Sequence, residues 1–147
     1  MYTDFKHNVS YLPMRIYTAS HTFETREQYQ TVDLTQFLEK EVSASDIENG
    51  LAFIYTGHTT GAIVMNEFDP WLSEDLKNLL SRMVPNDEEY RHQNNGSSHL
   101  ASMLLSHNQC IPVHEGEAAL GTWQSVFWVE AERRPRTRTV ELMIVGE

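Results

Sequence analysis

Polar residues of the kinds that move protons or hold ions are concentrated in the middle of this chain. His58-Thr59-Thr60 directly follows one apolar run, and Asn66-Glu67-Phe68-Asp69 directly follows the next. Tyr90, Arg91 and His92 come in a polar stretch after that, and His99 stands at the start of a short apolar segment. Strand ends opening into loops are where rigid scaffolds present working side chains. Two chemistries fit the set. Neutral imidazoles with a carboxylate make a site for zinc or a similar divalent ion, with one position open to water or substrate. The same groups without metal make a general acid–base pair whose pKa values are moved apart by burial and neighbouring charge. Spacing does not choose between them, because the six residues between His92 and His99 match no standard ligand motif.

Each residue also has a plainer reading. His58 fits a satisfied histidine at a strand end, and Asp69 fits a helix cap. Glu74 and Asp75 fall in the first turns of a helix, where negative charge suits the helix dipole. Asp75 is the more interesting of the two, since Trp71 and Leu72 precede it by four and three residues and set it at an apolar boundary. Asp87, Glu88 and Glu89 read as a solvated loop, and His7, His21, His107 and His114 are given no role. Cys110 reads as a small buried hydrophobe in a strand. Arg133, Arg134, Arg136 and Arg138 are concentrated in an otherwise acidic chain. Guanidinium groups pair bidentately with phosphate or carboxylate, which suits an anion site. The plainer alternatives are pairing with Glu130, Glu132 and Glu141 across a hairpin, or charge protecting an edge strand.

The elements that must position these groups are legible in outline. Residues 11–20 read as an early strand. Leu34, Phe37, Leu38 and Val42 recur as on one face of a helix, and Asp33 with Gln36 resembles a capping box. Asn49-Gly50 signals a turn. The apolar run 51–55 fits a strand covered on both faces, and 62–65 is the next strand. Asp69-Pro70 reads as a cap followed by proline in the first turn. Trp71, Leu72, Leu76, Leu79, Leu80 and Met83 give that helix a broad apolar face, which Pro85 stops. A loop over 86–98 and a short helix over 100–105, capped by Ser97 or Ser98, come next. Three strands follow over 109–113, 121–130 and 136–145. In the middle one Trp123, Ser125, Phe127 and Val129 share one face, while Gln124, Val126, Trp128 and Glu130 share the other. Strands with helices set between them, ending in an antiparallel run, make an α+β domain spanning residues 1–147.

Composition bounds the partners. The 147 residues carry 21 Asp and Glu against 11 Lys and Arg, a net charge of −10, and 40% are apolar. That content is too apolar for a disordered chain. The acidic balance argues against non-specific binding to nucleic acid or to anionic membrane, which need clustered positive charge. No apolar run approaches the roughly 20 residues that span a bilayer. The opening Met1-Tyr2-Thr3-Asp4-Phe5-Lys6 does not read as a signal peptide, so the cytoplasm is the expected compartment. A single cysteine excludes an internal disulfide and a zinc site built on several thiolates.

The order His58-Thr59-Thr60, Asn66-Glu67, Asp69-Pro70, Val84-Pro85, Tyr90-Arg91-His92, His99-Leu100, Ile111-Pro112-Val113 and Leu120-Gly121-Thr122-Trp123-Gln124 resembles the YjbQ-like family, also called secondary thiamine-phosphate synthase. The similarity runs over nearly the whole chain. It implies an α+β sandwich of mostly antiparallel strands, a homotrimer built around a threefold axis, and a weak thiamine-phosphate-forming activity. Carried over by position, the polar site corresponds to His58, Glu67, Asp69, Asp75, His92, His99 and Gln124. The sequence departs from the family pattern at Ala131-Glu132-Arg133-Arg134-Pro135-Arg136, at the shortened Asn94-Asn95-Gly96-Ser97-Ser98, and at Thr59-Thr60-Gly61-Ala62.

The resulting expectation is a metal-assisted enzyme acting on a small phosphorylated or heterocyclic substrate. His58, His92 and His99 would hold a divalent ion, zinc or magnesium. Glu67 or Asp75 would move protons, with Gln124 beside them, and Arg136 or Arg138 would meet a substrate anion. No glycine-rich phosphate cradle of the P-loop kind is present. The alternative is a non-catalytic trimer that binds a metal or small molecule.

Overall fold

The computed structural model describes residues 13–147. Residues 11 and 12 of the expected early strand, the opening segment read for a targeting signal, and His7 lie outside the described residues. In chain order come β1 (Arg15–Thr25), β2 (Thr31–Asp33), α1 (Thr35–Ala44), β3 (Asn49–Tyr55), β4 (Gly61–Asn66), α2 (Pro70–Met83), α3 (Gly96–Leu104), β5 (Asn108–His114), β6 (Glu117–Ala118), β7 (Ser125–Glu130) and β8 (Arg136–Gly146). A five-stranded sheet has the order β1-β8-β3-β5-β6, and a three-stranded sheet has the order β2-β7-β4. Every pairing is antiparallel. The architecture is α+β.

Strand β7 organises the layers. Its side chains alternate, so Val126 and Trp128 join the core shared with the five-stranded sheet and α1. Phe127 and Val129 point the other way and join a second core with Leu80 of α2 and Ala101 of α3. The molecule is therefore layered as large sheet, small sheet, then α2 and α3, with α1 packed into the first core. The face assignment expected for these four residues holds.

Strand β3 departs from expectation. The run 51–55 alternates, with Ala52 and Ile54 fully buried, while Leu51 and Phe53 are 51% and 37% exposed. The physical reason is its sheet: β3 lies in the outer layer, one face of which the described residues leave uncovered. Cys110, paired with Phe53 on β5, is exposed on that same face rather than buried. Asn49-Gly50 is not a turn but the start of β3. A Cβ on Gly50 would stand 2.1 Å from the Val145 carbonyl oxygen, so this glycine serves close approach of two strands.

Local signals at helix ends divide. Asp69 caps α2 by accepting the Leu72 N–H at 2.9 Å, with Pro70 in the first turn, as expected. At α1 the cap position is Leu34, and Asp33 instead accepts the Thr35 N–H at 2.9 Å. Helix α3 begins at Gly96, with Asn95 at the cap position and no side-chain cap, rather than being capped by Ser97 or Ser98. The short strands β2 and β6 carry no strong sequence signal. No helix among the described residues is long and apolar enough to cross a membrane.

Candidate functional site

The expected site residues fall into separate places. The first is a buried corner where the loop between β3 and β4 meets β7 and β8. Glu130 on β7 and Arg138 on β8, both buried, form a bidentate pair: Arg138 Nε donates to Glu130 Oε2 at 2.7 Å and Nη2 donates to Oε1 at 2.5 Å. Arg138 Nη2 also donates to the Thr60 carbonyl at 3.1 Å and to its hydroxyl at 3.0 Å. The Glu130 carboxylate accepts further bonds from the Thr25 hydroxyl at 2.7 Å and from the Glu132 N–H at 2.7 Å. The Arg138 guanidinium lies over the Trp128 ring, 5.4 Å from its centroid. Trp128 in turn lies where a side chain on Gly61 would be, since a Cβ there would meet it at 1.9 Å. A buried ion pair persists only when its remaining donors and acceptors are met in this way.

His58 belongs to that corner. Its ring stands edge-on to Trp128 with centroids 6.2 Å apart. Its Nε2 accepts the backbone N–H of Thr139 at 3.1 Å. That bond occupies the Nε2 lone pair and puts the proton of the neutral ring on Nδ1. Burial lowers the His58 pKa, the Arg138 guanidinium lowers it further, and Glu130 opposes both. His58 is thus a neutral ring with its acceptor already used. The plainer reading holds for it.

The second place is a cleft of about 440 Å³ lined by Tyr90, Arg91, His92, Gly96, His99, Leu100 and Met103. His92 and His99 come together here, their ring centroids 4.9 Å apart and their planes at 86°. His92 is exposed and His99 half-buried in the first turn of α3. Tyr90 anchors the loop: its hydroxyl donates to the Pro85 carbonyl at 2.6 Å. Its ring also packs over Gly96, where a Cβ would lie 2.7 Å from that of Tyr90. Burial, then the charges of Glu88 and Asp87, raise the Tyr90 pKa, so it keeps its proton and remains a donor.

The other expected residues stand apart from this pair. Glu67 is exposed, and its own N–H donates to Asn66 Oδ1 at 2.8 Å. Asp75 is exposed on α2. Gln124 closes a turn, its Oε1 accepting the Gly121 N–H at 2.8 Å. Among the described residues of one chain, no three His, Cys, Asp or Glu side chains gather to hold a metal ion. The three-histidine set therefore does not form within one chain, because His58 is fixed in the buried corner. Arg138 is not free to meet a substrate anion either: its side chain is 4% exposed and committed to Glu130. Arg136 is open to solvent and pairs with Glu132 at 3.5 Å. Of the carboxylates proposed to pair with the arginines, Glu130 and Glu132 do so. Sequence reasoning missed the part Thr60 and Trp128 play in the corner. A usable signal was the alternation that puts Trp128 and Glu130 on one face of β7.

Comparison with known proteins identifies the family and the fold. Residues 19–147 match the family model for the YjbQ-like protein UPF0047. A UPF0047 protein of Methanothermobacter thermautotrophicus is 34% identical over 91% of this chain and 95% of its own length. A YjbQ-like protein of unknown function from Sulfolobus solfataricus, 32% identical, superposes with a TM-score of 0.88 over 92% of this chain and all of its own (100%). A hypothetical protein from Aeropyrum pernix, 34% identical, gives a TM-score of 0.83 over 89% of this chain and 99% of its own. The chain belongs to the YjbQ-like UPF0047 family.

Proposed function

We propose that this chain is an enzyme working on a small phosphorylated or heterocyclic substrate in the cleft around His92 and His99, with activity of the thiamine-phosphate-synthase kind. The observation that carries this reading is the imidazole pair itself, 4.9 Å apart at the mouth of a cleft large enough for such a substrate. Two adjacent imidazoles divide acid and base duties when one is protonated and the other neutral. Tyr90 supports them by holding the loop that carries His92.

We further propose that a homotrimer completes the site. The apolar side of the cleft continues onto exposed Leu100, Met103 and Leu104 of α3, and Trp71 of α2 is 81% exposed. The open face of the large sheet adds Ile16, Leu51, Phe53 and Met143. Contiguous apolar surfaces of this kind mark interaction sites, and closed symmetric oligomers are the commonest way to cover them. In this reading Glu67 and Asp75 act only where a neighbouring copy carries them to the cleft.

A metal fits one chain only in part. Two imidazoles are half of a tetrahedral set, so the remaining ligands would come from a second copy, substrate or water. Imidazole suits zinc better than magnesium, which takes oxygen ligands. When bound, such an ion supplies Lewis-acid polarisation of a phosphoryl oxygen or water.

A second reading, a non-catalytic trimer that binds a metal or small molecule, is favoured by one observation. Neither the His92 nor the His99 ring has a hydrogen-bonded partner among the described residues to fix its tautomer. Tag-free protein, His92→Ala and His99→Ala should be compared for bound metal, for mass by light scattering, and for turnover of a thiamine-phosphate precursor pair and a phosphate ester. Turnover lost in both variants supports the enzyme. A trimer that binds metal and turns over neither supports the second reading.

A further inference from the structure

The sequence concentrates arginine just before β8, and the structure makes a concavity of it. The loop between β7 and β8 and the segment before α3 enclose about 370 Å³ lined by Asn94, Asn95, Glu132, Arg133, Arg134 and Arg136. Three guanidinium groups against one carboxylate leave 3 − 1 = +2 here, in a chain whose net charge is −10. Edge protection does not account for them, because β8 lies between β1 and β3 and is not an edge strand.

The walls are anchored from beneath. The Glu132 N–H donates to Glu130 Oε1 at 2.7 Å, which ties the loop to the buried ion pair. Glu132 Oε2 accepts from the Asn95 amide at 3.2 Å and its Oε1 accepts the Arg133 N–H at 2.8 Å. Burial works against ionising Glu132, but those two bonds and the Arg136 guanidinium outweigh it and hold its carboxyl below the ordinary value. Arg133 Nη2 donates to the Asn94 carbonyl, so that guanidinium is held at the rim by one bond with its other donors open. Arg134 has neither an ion pair nor a side-chain hydrogen bond among the described residues. Glu132 is the one carboxylate facing the cavity, and Arg136 already meets it.

We infer that this concavity binds the phosphate group of a small phosphate monoester. A dianion matches the uncompensated charge, and its terminal oxygens accept from several guanidinium donors at once. The adjoining concavity selects a compact anion. It shares Asn94 and Arg133 with this one but also carries Glu88 and Glu89, which repel a longer polyanion. That middle concavity shares Tyr90, His92 and Gly96 with the histidine cleft, so the organic part of a bound monoester has a continuous path toward it. The phosphate site does not depend on the proposed histidine chemistry.

The test is calorimetric titration of tag-free protein with inorganic phosphate, phenyl phosphate and succinate, at about 0.01 M ionic strength where screening is weak. Phosphate and phenyl phosphate should bind saturably, and more tightly than succinate. Arg133→Gln and Arg134→Gln should each raise Kd about tenfold, as expected for loss of one charge-assisted contact at an open site. Arg82→Gln, the same charge change at an α2 residue that does not line the cavity, should leave Kd unchanged, with thermal melting confirming that all three variants fold. His92→Ala should keep phosphate binding even where it ends turnover, which separates failure of this site from failure of the histidine reading. Absence of saturable binding, equal Kd in Arg134→Gln and Arg82→Gln, or succinate binding as tightly as phosphate would each overturn the inference.

Discussion

The Nε2 atom of His58 accepts the backbone N–H of Thr139 at 3.1 Å. This one bond divides the histidines singled out by sequence. It fixes His58 as a neutral structural ring beside Arg138 and Trp128, and leaves His92 and His99 as the pair that faces solvent. The surface pair and the stability of the corner are therefore separable by mutation.

The His58 corner should give the protein an acid-side stability loss. Burial and Arg138 lower the His58 pKa in the folded state, so the unfolded chain takes up the proton first. The contribution is fully present above the unfolded value of about 6.5 and is lost as pH falls below it, through the lowered folded value. Glu132 adds a separate loss at lower pH, because its folded pKa is also depressed, from 4.5. Melting temperature followed from about pH 8 down to about pH 3 should show both. His58→Gln, which keeps an acceptor for Thr139 but does not titrate, should flatten the first loss and not the second.

Removing one member of the buried ion pair strands the other. Arg138→Met should cost about 3–5 kcal/mol, read from chemical denaturation. Arg138→Met combined with Glu130→Leu should cost less than the two single changes added together, since the stranded charge goes too.

The close seat of Trp128 on Gly61 gives a sharper packing test. Gly61→Ala places a methyl group 1.9 Å from the Trp128 ring, which must shift. The expected cost is about 1–3 kcal/mol, with a change in tryptophan emission.

Asp69 distinguishes a cap from a catalyst. Asp69→Asn should leave stability nearly unchanged, while Asp69→Ala should cost about 1 kcal/mol by loss of the bond to the Leu72 N–H. Neither should change turnover beyond the effect of stability.

The fold was legible where a residue pattern answers to its own chain. Alternation in β7 reported both cores because both covers, the large sheet and the helices, come from this polypeptide. The same apolarity in β3 misled because Leu51 and Phe53 face a surface that the described residues do not cover. Gly50 looked like a turn because close strand approach and turning both favour glycine. The site was legible in residue type and less so in grouping. His92 and His99 meet through the loop geometry set by Tyr90 and Gly96, whereas His58 is drawn into the corner by Thr139 and Arg138. These are long-range contacts, 81 residues apart for His58 and Thr139, that spacing along a sequence does not encode.

Imidazole nitrogen NMR across a pH titration, repeated with zinc added, tests the division of the histidines most directly. His58 should show a proton on Nδ1, a bare hydrogen-bonded Nε2 and no response to zinc, while the nitrogens of His92 and His99 shift together when zinc is added. Zinc perturbing His58 while leaving His92 and His99 unmoved would contradict the account.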